Sequence, residues 1–275
     1  MRKRLGLATI FSMLLAAFSS LVTAGELQLV DAHIHYSHDA WEGIAPAEAV
    51  KMLRSAGLRR AFVSSSSDEG TQKLYKIAPD LIVPVLRPYR KRGELSSWMH
   101  DESVMAMLSE RLGKNHYAGI GEFHADGEQI DLPVLQHVIA LAKRYQIFLH
   151  AHVDIEAVHR IFDTDPDALV LWAHSGFESP EVIAVMMERY PRLWADLSFR
   201  EEFVFQGDVE DEWRRLFERF PTRFMLGTDT YTPQRWFYLA ENADWARGWL
   251  PSLPAEIADN IAWRNAEALL ARVRR

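Results

Sequence analysis

LQLVDAHIH, residues 27–35, is a short apolar run that ends on two histidines one residue apart, His33 and His35. On a β-strand alternate side chains share a face, so such a pair can grip one metal ion with two imidazoles. Four further apolar stretches carry a donor near their end in the same way. Glu122 sits in AGIGEF, His150 in IFLHAH, His174 in LVLWAHSG and Asp229 in FMLGTD. Six nitrogen and oxygen donors at the ends of hydrophobic runs are hard to account for by packing alone.

Between these runs the pattern changes period. Candidate strands at 27–35, 60–64, 81–86, 118–123, 147–152, 168–174, 193–197 and 223–229 alternate with helical patterns at 46–56, 71–78, 102–112, 133–144, 155–162, 180–189, 209–219 and 233–249. Strands rich in Val, Ile and Leu, each followed by an amphipathic helix, predict a parallel sheet covered on both faces. Eight repeats favour closure into a (β/α)8 TIM barrel over an open doubly wound sheet. No GxGxxG follows the first strand, which argues against a dinucleotide-binding fold. Pro133 and Pro180 fall at first helical positions, with Ser179 placed to cap the latter helix. A last amphipathic helix is expected over 254–273, against the outside of the barrel. In such barrels reactive groups gather at the carboxyl ends of the strands, and all six donors fall there.

The chain opens with Arg2, Lys3 and Arg4, an apolar stretch from Leu5 to Phe18, and Val22 and Ala24 at the −3 and −1 positions of a cleavage site after Ala24. That layout predicts a signal peptide over 1–24, export to the periplasm or the medium, and a single barrel domain over 25–275. The apolar core is shorter than the about 20 residues a membrane span prefers. Stable membrane insertion after cleavage is therefore not expected. Cleavage leaves 251 residues, close to the about 250 of a typical single α/β barrel. The mature part holds 28 Lys and Arg against 38 Asp and Glu, a net charge of −10 with histidine neutral. This disfavours nucleic acid and anionic membrane as partners; a small-molecule substrate is the expected partner. With no cysteine in the chain, disulfides, thiolate catalysis and zinc–thiolate sites are all ruled out. Any metal must be held by imidazole and carboxylate.

That donor set suits zinc, manganese, iron, cobalt or nickel. His33, His35 and Asp229 can hold one ion, while His150 and His174 can hold a second with Glu122 as the bridge. With a single ion, the spare histidines would instead bind substrate or stabilise developing charge. Such an ion lowers the pKa of a bound water from about 16 towards 7, and Asp229 is placed to take its proton and pass it to the leaving group.

The ordered set of His33-Ile-His35, Glu122, His150, His174 and Asp229 in Gly-Thr-Asp resembles the amidohydrolase superfamily, in particular the amidohydrolase-related (amidohydrolase 2) barrels. The resemblance spans nearly the whole mature chain, including the closing stretch from Asn260 to Leu269, where an asparagine–alanine pair such as Asn265-Ala266 is common. It implies a metal-dependent hydrolase that cleaves an ester, lactone, amide or related bond with one or two divalent ions, zinc being the first choice. Some members of the superfamily instead release carbon dioxide from aromatic or unsaturated acids, so non-oxidative decarboxylation is the alternative chemistry, and a non-catalytic metal- or ligand-binding barrel is the third. Many relatives bridge two metals through a carboxylated lysine on strand 4; here no lysine lies between Lys114 and Lys143, and Glu122 resembles the carboxylate bridge of other members. The family pattern favours His150 as ligand and His152 as a pocket residue.

Three further residues are candidates for substrate contact. Arg87, at the end of strand 3, matches a carboxylate or phosphate in a bidentate way. His152 and His124 stand two residues beyond His150 and Glu122, on the same strand faces. Trp41, Trp98, Trp172, Trp236 and Tyr231 fall near strand ends, as pocket walls or as core. Asp196 and Ser198 on strand 7 reach the pocket floor or hydrogen-bond within the barrel. No GxSxG elbow is present to support a serine nucleophile.

Overall fold

In the computed structural model, which describes residues 27–274, the apolar runs become strands of one barrel. The strands are β1 (Leu29–His35), β2 (Leu58–Ser64), β3 (Ile82–Leu86), β4 (Gly119–Ala125), β5 (Phe148–Val153), β6 (Val170–Trp172), β7 (Leu193–Asp196) and β8 (Phe224–Met225). Each pairs in parallel with the next in chain order. The seam between β8 and β1 is drawn together by Ala32 N–H on Leu226 O (2.8 Å) and His35 N–H on Thr230 O (2.9 Å). A helix follows almost every strand, which is why β1, β3 and β6 are buried along their whole length.

The helix starts obey local chemistry. Pro133 and Pro180 open their helices, where the missing N–H has no intrahelical partner to lose. The Asp154 side chain accepts from Ala157 N–H and Ser179 from Val182 N–H, satisfying backbone donors left over at the first turn. Gln146 ends the helix Pro133–Tyr145 in the left-handed conformation.

Several elements differ from the sequence expectation, three of them through a tertiary contact. Strand 8 stops at Met225, and the stretch to Asp229 runs on as a loop. There Thr228 N–H and Oγ1–H both bond the buried Asp31 carboxylate of β1. The helical pattern at 233–249 breaks at Tyr238 into Pro233–Phe237 and Leu239–Trp249, the Arg235 side chain of the first part reaching back to Asp229 O and Thr228 O. The closing helix contains a π turn, Asn260–Arg264, beside which Ile261 O accepts Leu226 N–H and the Asn265 amide holds Pro221 O and Phe224 O. A helix register is thus adjusted to hold the end of β8. No helix among the described residues is long and apolar enough to cross a membrane, and the 1–24 leader lies outside them.

Candidate metal centre

The six predicted donors are all buried, and they converge at the carboxyl end of the barrel. His33 Nε2 and His35 Nε2 are 3.1 Å apart. Glu122 Oε2 lies 3.6 Å from the first and 3.3 Å from the second. Asp229 Oδ1 lies 3.5 and 3.1 Å from the same two nitrogens. A tetrahedron with metal–ligand bonds of about 2.0–2.2 Å has edges of about 3.3–3.6 Å, so each carboxylate oxygen lies at close to ligand spacing from both nitrogens.

The outer nitrogens explain why the inner ones point as they do. His33 Nδ1 is 3.1 Å from Asp196 Oδ2, His35 Nδ1 is 3.2 Å from Ser64 O, and His174 Nδ1 is 3.1 Å from Ser198 O. Carboxylates and carbonyls only accept, so each Nδ1 carries the hydrogen, a tautomer assigned from its partners. Three Nε2 lone pairs are left facing inward, two of them towards each other. Asp229 Oδ1 is buried and accepts no hydrogen bond. Converging lone pairs beside an unpartnered carboxylate oxygen fit a cation held between them, and the lack of thiolate fits a borderline or hard divalent ion.

Glu122 divides its two oxygens. Oε2 faces His33 and His35, while Oε1 is 2.9 Å from His152 Nδ1, 3.5 Å from His174 Nε2 and 3.8 Å from His124 Nε2. His174 Nε2 also lies 3.9 Å from Asp229 Oδ2. The glutamate therefore stands between two nitrogen sets, as a bridge requires. His150, expected to pair with His174, turns its Nε2 onto Asp196 Oδ2 at 3.1 Å, and the strand-5 histidine on Glu122 is His152. Both share the inner face of β5, and depth along the strand decides which one reaches the carboxylate.

Arg87 is turned inward. Its Nη2 donates to Glu122 Oε2 (2.8 Å) and its Nε to Glu122 O (3.1 Å), so its nearest anion within the protein is that glutamate. His124 is anchored by Tyr89, whose hydroxyl accepts His124 N–H at 2.8 Å and lies 2.9 Å from its Nδ1. His124 and His152 stack at 4.2 Å and are each about one-third exposed, lining the mouth. Trp98, Trp172 and Trp236 are core.

Sequence reasoning left Asp196 undecided; the structure makes it the hub. Oδ2 meets His33 Nδ1 and His150 Nε2, while Oδ1 accepts His174 N–H, Ser198 N–H and Ser198 Oγ–H. Ser198 Oγ lies 3.2 Å from His33 Nδ1 and 2.8 Å from His174 Nδ1. One carboxylate at the end of β7 and one hydroxyl two residues beyond it thus orient three histidines. The available signal was an acid two residues before a serine at the end of a predicted strand.

His174 does not lie on the strand that carries it. Strand β6 ends at Trp172, and His174, Ser175, Gly176 and Phe177 form a run of left-handed residues with φ between 52° and 66°. A Cβ on Gly176 would come within 2.0 Å of the Trp172 ring, so the turn needs glycine there. Asp229 is left-handed too, at φ 43°. Such backbone is costly for non-glycine residues and gathers at functional sites.

The charges are strongly coupled. Burial opposes a charge on His33, yet Asp229, Asp196 and Glu122 hold its pKa well above the ordinary 6.5. Burial likewise opposes the carboxylates, but His33 and the other imidazoles hold Glu122 and Asp196 well below the usual range and Asp229 at about 2. A proton on His33 thus answers the same negative field that a divalent ion would. Burial pushes His150 down to about 4 and His124 down to about 3.

No family model and no curated protein matches the sequence. Solved structures do match the fold. An uncharacterised TIM-barrel protein from Bordetella bronchiseptica aligns over 90% of this chain and 99% of its own, at 17% identity and a TM-score of 0.62. A probable 2-pyrone-4,6-dicarboxylic acid hydrolase from Acinetobacter baumannii, with citric acid bound, aligns over 88% and 99%, at 10% identity and a TM-score of 0.60. An amidohydrolase from Burkholderia multivorans with bound zinc aligns over 89% and 99%, at 13% identity and a TM-score of 0.53. The chain has the fold of these barrels. At such identities the likeness is one of architecture, and the chemistry rests on this chain's own residues.

Proposed function

We propose that this chain is a metal-dependent hydrolase of the amidohydrolase type, cleaving an ester, lactone, amide or related bond of a small molecule. The observation that carries the proposal is the buried set of His33 Nε2, His35 Nε2, Glu122 Oε2 and Asp229 Oδ1, in which the two nitrogens are 3.1 Å apart and each lies 3.1–3.6 Å from both oxygens. When bound, a divalent ion, zinc by preference, supplies Lewis-acid polarisation and brings a water's pKa towards about 7. His33, His35, Glu122 and Asp229 hold it. His174 and His152, on the far oxygen of Glu122, can hold a second.

The chain's own residues do the rest. Asp229 is ionised, so it accepts the proton of the attacking water and returns it to the leaving atom. Arg87 pins Glu122 in place. His124, with Tyr89 at its Nδ1, presents its Nε2 to the pocket as a donor for a substrate oxygen. Arg87, the guanidinium suited to grip the carboxylate of a decarboxylase substrate, is engaged on Glu122, which favours hydrolysis over decarboxylation.

The test is metal analysis of the purified protein beside Glu122→Ala and Asp229→Asn, with ester, lactone and amide panels and an aromatic-acid panel read for carbon dioxide. One or two equivalents of metal and hydrolysis are expected, with Asp229→Asn lowering kcat by about 10²–10⁴-fold and KM much less. A protein that takes up no metal after reconstitution overturns the proposal; carbon dioxide release without hydrolysis replaces it with the decarboxylase. We propose too that residues 1–24 direct export to the periplasm or medium, for which a mature N-terminus at Gly25 by mass spectrometry is the check.

A further inference from the structure

Between the β1–β8 seam and the helix Leu239–Trp249 lies a cavity of about 280 Å³. Val30, Leu197 and Leu226 wall it on the barrel side, and Leu239, Ala243 and Ala246 on the helix side. These six are buried, while Glu201, Glu241 and Trp245, also in the wall, are exposed, so the cavity reaches the surface beside them. The space exists because the helix turns two alanines towards the barrel one turn apart, Ala243 and Ala246, where longer side chains would fill it. None of the six metal-donor candidates lines it. Gly227 and Thr228 form the wall on that side, and a Cβ on Gly227 would come within 3.0 Å of the His33 side chain. An apolar cavity of about 150 Å³ is enough to take up a benzene ring, so this one has room for a ring with a side group.

Two buried residues of this lining carry polar side-chain atoms, Asp31 and Trp249. Asp31 is satisfied within the protein, accepting His33 N–H, Thr228 N–H and Thr228 Oγ1–H. Trp249 is not: its indole Nε1 is buried and has no hydrogen-bond partner among the described residues. A buried donor left without an acceptor carries its full desolvation cost, which a ligand oxygen would relieve. Arg235, partly buried in the same wall, donates Nε to Asp229 O and Nη2 to Thr228 O and lies 4.4 Å over the Phe199 ring. With Glu201 and Glu241 it gives the rim charges of both signs, so the interior decides the class of ligand. A charged group carried into that interior would exchange water for apolar side chains and a carboxyl that already has three donors.

We propose that this cavity is a second binding site, for an uncharged and mainly apolar small molecule about the size of a substituted benzene ring, with one oxygen that accepts from Trp249 Nε1–H. The site lies apart from the metal centre and does not depend on the reaction assigned there.

The test is an NMR titration of the zinc-free protein with acetophenone, ethylbenzene, 1-phenylethylammonium and 2-phenylpropionate, which differ at one carbon, in the wild type, Ala246→Leu and Trp249→Phe. Acetophenone is expected to bind about two- to tenfold more tightly than ethylbenzene, the worth of one net hydrogen bond, and more tightly than either ion. It is also expected to shift the indole N–H resonance that is missing from Trp249→Phe. Ala246→Leu, which fills the cavity from the helix side, is expected to weaken acetophenone and ethylbenzene alike by at least about tenfold. Trp249→Phe is expected to bring the two to equal affinity. Wild-type ethylbenzene binding as tight as acetophenone, tighter binding of either ion, or acetophenone binding indifferent to Ala246→Leu overturns the proposal. So does a Trp249 N–H that contacts water and moves with none of the four, which is the mark of a cavity that holds solvent only.

Discussion

At the residue scale, the chemistry of this site depends on which nitrogen of each histidine carries a hydrogen. Asp196 settles that for His33 and His150 and touches no inward-facing Nε2 of His35 or His174, so it is a positioning residue. Asp196→Asn keeps the volume and loses the charge that holds Nδ1–H on His33. Zinc affinity, read by calorimetric titration, is expected to fall by about 10- to 100-fold, the usual loss for an outer hydrogen-bond partner of a metal ligand. Unchanged affinity in a folded variant would show that the imidazole is oriented by packing alone. Ser198→Ala, with one weaker contact to each of His33 and His174, is expected to move affinity in the same direction by less. The proposed metal ligands could be picked out along the sequence because they share one feature, a donor at the end of an apolar run. Asp196 shares it too, but nothing along the chain says that its carboxylate sits under His33, 163 positions away.

At the element scale, the site is set by what happens just after strands end. The run of left-handed residues at 174–177 bends His174 back towards Glu122, and it is possible because Gly176 packs flat on the Trp172 ring. Gly176→Ala puts a methyl into that ring at a positive φ. Destabilisation of at least about 2 kcal/mol is expected from strain and overpacking together, read as a lower urea midpoint. A midpoint equal to wild type would mean that the turn relaxes freely. Strand and helix positions on either side were legible, since period and proline placement mark them locally. The breaks at Tyr238 and in the closing helix were not, because they answer to Asp229 O, Leu226 N and Phe224 O, groups brought there only by barrel closure.

At the scale of the whole molecule, acidity and metal act on stability in opposite directions. The raised pKa of His33 means that in the metal-free protein its protonation contributes stability in full below the unfolded value of 6.5, and that contribution is lost as the pH climbs through the raised value. Metal must displace that proton, so its own contribution grows over the same climb. The metal-free Tm is therefore expected to fall above pH 6.5, while the increase in Tm on adding zinc becomes larger. At a hundredfold excess over Kd, binding is worth about 2.7 kcal/mol. Differential scanning calorimetry at pH 6, 7 and 8, with and without zinc, checks this; a zinc increment that shrinks with rising pH contradicts it.

By itself the sequence determined the alternation of eight strands with helices, the barrel they close into and the six donors at its carboxyl end, because hydrophobic period and residue type are local properties. It also determined that any metal here is held without thiolate, since the chain has no cysteine. Only the tertiary structure decided that His152 rather than His150 faces Glu122, that Arg87 is spent on that glutamate, and that Asp196 and Ser198 orient the histidines. Those are choices among side chains of suitable type on the same strand faces, and they are made by depth in the barrel and by neighbours far away in the chain. A periodicity of two assigns a face, and only closure of the barrel assigns the partner.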